Sequence, residues 1–192
     1  MSLGASVVTH IKIDFPKLLS NHPSPGEFRK FVPDWPTNSA YKETCCAQVS
    51  HAFNASSEPI EKYEYPDRWS SSGKARAFYS KRNQAHYLLA VHDFHAYLLG
   101  RYGEPEAFNN KGALLEATQS RDGILAFGHR HIDLWTEGKI HFQSIYNMAY
   151  LWDKSHWSGQ KLMFWEVGAF TYGSSIDSRS EFDSHLGEAT LF

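Results

Sequence analysis

The sequence predicts an α+β fold in which helices from the first part of the chain pack on an antiparallel sheet formed by the last part. Segments with helical periodicity precede residue 120, and segments with strand alternation follow it. The chain has 192 residues, of which 42% are hydrophobic and 21% are charged, as is usual for globular proteins. This length and composition predict a single domain over residues 1–192.

Two helices are predicted in the first sixty residues. Five of the eight prolines lie in residues 1–40, so this segment is expected to be irregular except for a short helix at Phe15–Ser20. A longer helix is expected over Thr44–Ala55, with Thr44 as its N-cap and an apolar stripe along one face. The polar stretch Glu58–Ala75 is expected to be a surface loop.

The strongest helical pattern extends over Gln84–Tyr102. Asn83 can cap its start, and Gly103 and Pro105 provide the stop. A shorter helix is expected at Gly112–Thr118.

The pattern then changes to strands. The predicted strands are Gly123–Phe127, His131–Trp135, Lys139–Gln143 and Lys161–Val167. A three-residue turn, Thr136–Gly138, joins the second of these strands to the third. Residues 170–192, rich in Ser, Gly and acidic residues, are expected to be a loose tail.

Charge and cysteine content exclude several classes of protein. With 19 Lys and Arg against 21 Asp and Glu, the chain has no strong basic field for nucleic acid. No apolar run reaches the roughly 18–20 residues of a membrane-spanning helix, so membrane insertion is not expected. Cys45 and Cys46 are adjacent, which disfavours a disulfide between them and excludes a four-cysteine zinc site.

Cys45 is the candidate nucleophile. It stands at the start of a predicted helix, where unpaired N–H groups and the helix dipole favour a thiolate and can stabilise an oxyanion. The alternative interpretation is a small apolar side chain buried in the helix interface.

The predicted hairpin can supply a base. With a three-residue turn, His131 faces Gln143 across the strands and Asp133 faces His141. Gln143 can then accept a hydrogen bond from the His131 ring and orient it. A shifted register substitutes Ser144, and Asp133 with His141 is the alternative catalytic pair. The simplest alternative is that His131 merely lies on a polar sheet face.

A metal site is the competing interpretation of the histidines. His129 and His131 alternate on one strand, and His92 and His95 lie three positions apart on the long helix, which suits zinc. Neither pair forms a well-specified zinc motif such as HExxH, so no metal is expected.

Five short motifs occur in order between residues 40 and 145. They are Cys45-x4-Ser50-x3-Asn54, Val91–Leu98, Gly103-Glu104-Pro105, Gly123–Phe127, and His131–Trp135 followed by Gly138. Their order and spacing resemble the amidase effector family of type VI secretion, a papain-like branch related to NlpC-type cell-wall peptidases.

The resemblance implies a papain-like, NlpC-type cysteine hydrolase with Cys45 as nucleophile and His131 as base. The family has an acidic residue five places after the turn glycine, the third catalytic position, and this chain has Gln143 there. The implied reaction is hydrolysis of peptidoglycan stem peptides at the γ-D-glutamyl–meso-diaminopimelate bond, with no cofactor and no metal.

The resemblance also implies partners and a place of action. Such a protein is an antibacterial effector toxin, exported by secretion machinery without a Sec signal peptide, that acts in the periplasm of the target cell. A cognate immunity protein protects the producer. Two other hypotheses stay open from the sequence: another papain-like peptidase or transferase on the same scaffold, and a non-catalytic binding module.

Overall fold

A five-stranded antiparallel sheet forms the centre of the structure, and helices pack on both of its faces. The computed structural model describes residues 11–37, 43–61, 76–142, 148–153 and 160–168. Within these ranges helices combine with antiparallel strands, which confirms the predicted α+β class. None of the helices in these ranges is both long and apolar enough to span a bilayer.

Six helices form in the described ranges. They are α1 (Phe15–Ser20), α2 (Phe28–Phe31), α3 (Cys45–Ala55), α4 (Val91–Tyr102), α5 (Lys111–Thr118) and α6 (Met148–Trp152). Helix α1 has the predicted bounds, because the Asp14 side chain caps its first turn and Pro16 suits that turn. Helices α3 and α5 also form where periodicity predicts them, whereas the short α2 and α6 were not predicted.

Seven strands form in the same ranges. They are β1 (Ala77–Ser80), β2 (Ala85–Leu88), β3 (Glu106–Phe108), β4 (Gly123–Phe127), β5 (His131–Thr136), β6 (Lys139–Ile140) and β7 (Leu162–Glu166). Strands β1 and β2 form a separate hairpin, and the main sheet has the order β3-β7-β4-β5-β6. The central strand β4 begins with Gly123, because a Cβ there would collide with the Phe164 ring and the Trp165 carbonyl oxygen.

Alternating side chains divide the core between the two faces of the sheet. Ile124 and Ile132 pack with residues of α1, α3 and α4 on one face. Leu125 and Trp135 pack with residues of α5 and α6 on the other. Helix α3 therefore packs against β5, and this contact brings the start of α3, at Cys45, to the start of the strand.

The prediction of one continuous helix over Gln84–Tyr102 is wrong. Ala85–Leu88 pairs with β1 as strand β2, and α4 begins only at Val91. The buried Asp93 carboxylate accepts a hydrogen bond from the Ala90 N–H at 3.0 Å and caps the helix at that point. Strand pairing and a local cap therefore outweigh the helical periodicity of the preceding residues.

The predicted hairpin register is wrong by one residue. Thr136 pairs with Lys139, so the turn contains two residues, Glu137 and Gly138, rather than three. Their φ angles are 50° and 75°, and a two-residue type I′ turn requires positive φ at both positions. Strand β6 ends at Ile140, three residues earlier than predicted.

Some predicted segments lie outside the described residues. These are residues 62–75 of the expected surface loop and the whole of the expected tail at 170–192. The surface loop and the loose tail therefore remain predictions from the sequence.

Candidate active site

Cys45 is the first residue of α3. The first hydrogen bond of this helix runs from the Gln48 N–H to the Thr44 carbonyl oxygen at 2.8 Å, so the N–H groups of residues 45–47 precede the helical ladder. Thr44 holds the N-cap position, although its side chain makes no capping hydrogen bond. The sulfur therefore lies at a helix end whose N–H groups favour a negative charge.

The two adjacent cysteines have different environments. Cys46 is 2% exposed and belongs to the apolar core, whereas Cys45 is only partly buried. Their sulfur atoms are 4.0 Å apart, and both thiols are reduced. The hydrogen bond with Cys46 lowers the pKa of Cys45, and interactions with His131 lower it further against the opposing effect of burial. Burial raises the pKa of Cys46, so Cys45 ionises first.

His131, the first residue of β5, makes a hydrogen bond with the Cys45 thiol. Burial lowers the pKa of its imidazole, but the interactions with Asp133 and Cys45 outweigh burial and raise the pKa to about 9. The Ile132 N–H also donates to the sulfur. A raised imidazole pKa beside a lowered thiol pKa indicates a thiolate–imidazolium pair at neutral pH.

Asp133 supports the other side of the His131 ring. The two residues lie two positions apart on β5 and therefore on the same face of the strand. Oδ2 of Asp133 is 3.5 Å from Nε2 of His131, and Oδ1 accepts a hydrogen bond from the Leu134 N–H at 2.7 Å. Because Nε2 lies on the carboxylate side, Nδ1 is the ring nitrogen that remains for Cys45.

The predicted third residue, Gln143, lies outside the described residues. The register used to place it opposite His131 is the one that the two-residue turn corrects, and the ladder ends at Ile140. Asp133 forms an ion pair with His131, and the alternative catalytic pair of Asp133 with His141 stays a prediction. Burial lowers the pKa of His141, although the Asp133 charge opposes this shift.

His22 is a site residue that the sequence analysis missed. It follows α1, and its Nδ1 lies 3.6 Å from Oδ1 of Asp133. Its ring stacks on Phe142 with centroids 5.2 Å apart. Burial lowers its pKa to about 4, so the imidazole is neutral at neutral pH. No pattern in the proline-rich N-terminal segment distinguishes this histidine, because its neighbours are set by tertiary packing alone.

A cleft of about 400 Å³ opens beside Cys45. Its charged and titratable lining residues, besides the two cysteines, are Glu43, Arg76, His129 and Arg130. The fully buried Asp93 anchors Arg76, with Nε and Nη2 at 3.4 Å and 3.3 Å from its two carboxylate oxygens. The Arg76 side chain is nevertheless 49% exposed, so this anchored cation faces solvent on its outer side.

Of the histidines considered for zinc, His129 lines the same cleft. The His129 ring is 6.1 Å from the His92 ring and 5.8 Å from the His95 ring, measured between centroids. His131 faces Cys45 and Asp133 instead. In the part of the chain that the structure describes, no group of three His, Cys, Asp or Glu residues is arranged to hold a metal ion.

The fold is similar to solved structures of type VI effectors. Tae4 from Salmonella typhimurium, in its effector–immunity system with Tai4, is 16% identical with a TM-score of 0.58, and the match covers 82% of this chain and 99% of that one. The Tae4–Tai4 complex from Enterobacter cloacae gives 13% identity, a TM-score of 0.58, and coverage of 82% and 100%. The structure of the effector Tae4 from Enterobacter cloacae gives 12% identity and a TM-score of 0.52, and the match covers 83% of this chain and 99% of that one.

The shared fold over most of the chain confirms the papain-like, NlpC-type fold expected from the sequence. No protein-family model matches the chain, and no curated protein sequence matches it either.

Proposed function

We propose that the protein is a cysteine-dependent peptidoglycan amidase that acts as an antibacterial effector of a type VI secretion system. The observation that carries this proposal is the contact of Cys45, at a helix N-terminus, with His131, whose ring in turn contacts the buried Asp133, in a fold shared with Tae4 effectors. The motifs that resemble the amidase effectors give further support, because they include the same cysteine and histidine.

The first half of the reaction forms a thioester. The Cys45 thiolate attacks the carbonyl carbon of the substrate amide, and N–H groups in the first turn of α3 stabilise the resulting oxyanion. The His131 imidazolium then donates its proton to the amide nitrogen, the C–N bond breaks and the amine leaves.

The second half of the reaction hydrolyses the thioester. Neutral His131 takes a proton from water, the resulting hydroxide attacks the carbonyl carbon, and the C–S bond breaks. The product carboxylic acid leaves and loses its proton to solvent, and the thiolate–imidazolium pair is restored. Throughout the cycle Asp133 fixes the ring of His131 and stabilises its positive form. Neither half requires a metal or a cofactor.

The charges around Cys45 suit a peptidoglycan stem peptide. A γ-linked D-glutamyl residue keeps its α-carboxylate free, and meso-diaminopimelate carries both carboxylate and ammonium groups. Arg76 and Arg130 can bind carboxylates, and Glu43 can bind an ammonium group. We therefore propose the γ-D-glutamyl–meso-diaminopimelate bond as the bond that is cleaved.

A cognate immunity protein and the secretion machinery are the proposed partners. The solved structures with this fold include complexes of a type VI effector with its immunity protein. We infer that an immunity protein binds this chain over the Cys45 cleft and protects the producing cell. The secretion machinery would deliver the effector to the periplasm of the target cell, where peptidoglycan lies.

Expression in two compartments of a Gram-negative bacterium tests this proposal. Fusion to a periplasmic export signal should make the wild-type protein lytic, whereas the same protein without that signal should be harmless. Cys45→Ala should be harmless in both compartments. Lys139→Ala, at the exposed start of β6, is the matched control and should lyse like wild type. Lysis by Cys45→Ala equal to that of wild type would overturn the proposed chemistry.

A further inference from the structure

We propose that His22 is a positioning residue of the active site: as a neutral imidazole it donates a hydrogen bond to Asp133 and holds the carboxylate towards His131. The inference rests on the proposed function, because it assigns a role to the group behind the proposed base. It concerns a residue outside the motifs that resemble the amidase effectors.

The geometry places one buried carboxylate between two imidazoles. Oδ2 of Asp133 lies 3.5 Å from Nε2 of His131, and Oδ1 lies 3.6 Å from Nδ1 of His22. The side chains of His22 and Asp133 are 2% and 1% exposed, so water does not replace either contact. The two histidines thus lie against different oxygens of the same carboxylate.

The surroundings of His22 keep its imidazole neutral. Besides Asp133 and His131 of β5, it faces His141, which follows β6, and His51 of α3. The three imidazoles oppose a positive charge on His22, and burial opposes it more strongly. The Asp133 carboxylate favours a positive charge on His22. However, His131 contacts the same carboxylate, and its raised pKa makes it the positively charged histidine of the two.

A neutral imidazole has a single N–H, and here it belongs on Nδ1. Among the described residues neither nitrogen of His22 has a hydrogen-bond partner of normal length, and Nδ1 is the nitrogen that faces the carboxylate. The ring stacks on Phe142, and the backbone N–H of His22 donates a hydrogen bond to the Leu19 carbonyl oxygen at 3.2 Å, so both the ring and the backbone of the residue are held. Catalytic hydrogen bonds are often long before substrate binds and shorten in the complex.

Loss of this donor should weaken the ion pair of the active site. Among the described residues, Oδ1 would keep only the Leu134 N–H, so the buried carboxylate would have fewer donors and could rotate away from His131. A less supported imidazolium stabilises the Cys45 thiolate less, and the thiolate then forms at higher pH.

Two substitutions in the full-length chain separate the donor from the packing of the ring. In His22→Asn the side-chain N–H₂ group replaces Nδ1–H, whereas His22→Phe keeps an aromatic ring beside Phe142 but has no donor. Thiolate formation is followed by its ultraviolet absorbance as a function of pH. We expect the midpoint in His22→Phe to move up by about one pH unit, and that in His22→Asn to stay within about 0.3 unit of wild type.

Equal shifts in both variants, or no shift in His22→Phe, would overturn the inference. If either variant fails to fold, the ¹⁵N chemical shifts of His22 in the wild-type protein decide the question. A neutral ring protonated on Nδ1 between about pH 5 and 8 supports the proposal, and a ring protonated on Nε2 or on both nitrogens contradicts it. These measurements use no substrate, so a failure of the proposed amidase activity would be seen separately in the lysis experiment.

Discussion

Nε2 of His131 lies 3.5 Å from Oδ2 of Asp133, and both side chains are almost fully buried. Because the two residues alternate on one strand, the pleat of β5 alone sets their relative orientation. The contact between the His131 ring and Asp133 therefore does not depend on how β6 pairs with β5. In the family that the sequence resembles, the acidic residue comes after the turn glycine, whereas here the carboxylate precedes the turn.

Asp133→Asn tests the contribution of this carboxylate. The substitution keeps the side-chain volume but removes the negative charge beside the imidazolium. We expect kcat/KM on peptidoglycan fragments to fall by about 100- to 10,000-fold, since the imidazolium loses its partner and the ring loses its orientation. Glu137→Gln, in the exposed turn, is the matched control and should retain activity. Full activity of Asp133→Asn would show that the Asp133 carboxylate does not support His131 in catalysis.

Gln143→Ala should have a smaller effect than Asp133→Asn. The base survives this substitution, so we expect turnover to fall by less than about tenfold, whereas His131→Ala should abolish it. Gln143→Asp should preserve activity or shift its pH profile, because a carboxylate raises the pKa of a nearby histidine. Turnover and pH profiles of the three variants provide the measurement. If Gln143→Ala is inactive while Asp133→Asn is active, Gln143 is the third catalytic residue.

Local sequence patterns predict the elements that carry the nucleophile and the base. Thr44–Ala55 and His131–Trp135 have clear helical and strand periodicity, and both form as expected within one residue. The sequence does not predict the two-residue turn at Glu137-Gly138, because Glu137 has a φ of 50° and residues other than glycine seldom adopt a positive φ. Asp133 alternates with His131 along the predicted strand, but the predicted three-residue turn favours Gln143 as the partner of His131.

Long-range contacts explain what the sequence analysis missed. His22 joins the site only because α1 packs against α3 and the sheet, and periodicity carries no information about such contacts. Arg76 is likewise anchored by Asp93, on a helix whose start was predicted too early. In both cases burial and a specific charge partner define the role, and neither property can be read from local residue order.

Cys45 should be the thiol that reacts with iodoacetamide. Its pKa is lowered by the hydrogen bond with Cys46 and by His131, whereas burial raises the pKa of Cys46. At neutral pH we expect labelling of Cys45 to be at least about tenfold faster than that of Cys46. Peptide mapping by mass spectrometry at short times gives the two rates. Preferential labelling of Cys46 would show that the thiols are assigned in the wrong order.

His22 should make the protein less stable in acid. Its pKa is lowered to about 4 by burial, so the folded chain binds this proton less readily than the unfolded chain does. The stabilisation is fully present above about pH 6.5 and is lost as the pH falls towards 4, by up to about 3 kcal/mol.

Urea unfolding at pH 7 and pH 4.5 measures this effect. The free energy of unfolding should fall less in His22→Asn than in wild type, because the variant lacks the titrating group while the other groups remain. An equal decrease in the free energy of unfolding of the two proteins would show that the titration of His22 does not cause the loss of stability in acid.

Digestion of Gram-negative sacculi by the purified protein tests the central claim most directly. Mass spectrometry should identify soluble fragments in which the γ-D-glutamyl–meso-diaminopimelate amide has been hydrolysed. EDTA should leave the reaction unchanged, and Cys45→Ala should release no such fragment. Release of the same fragments by Cys45→Ala, or loss of activity in EDTA with recovery on adding zinc, would contradict the account.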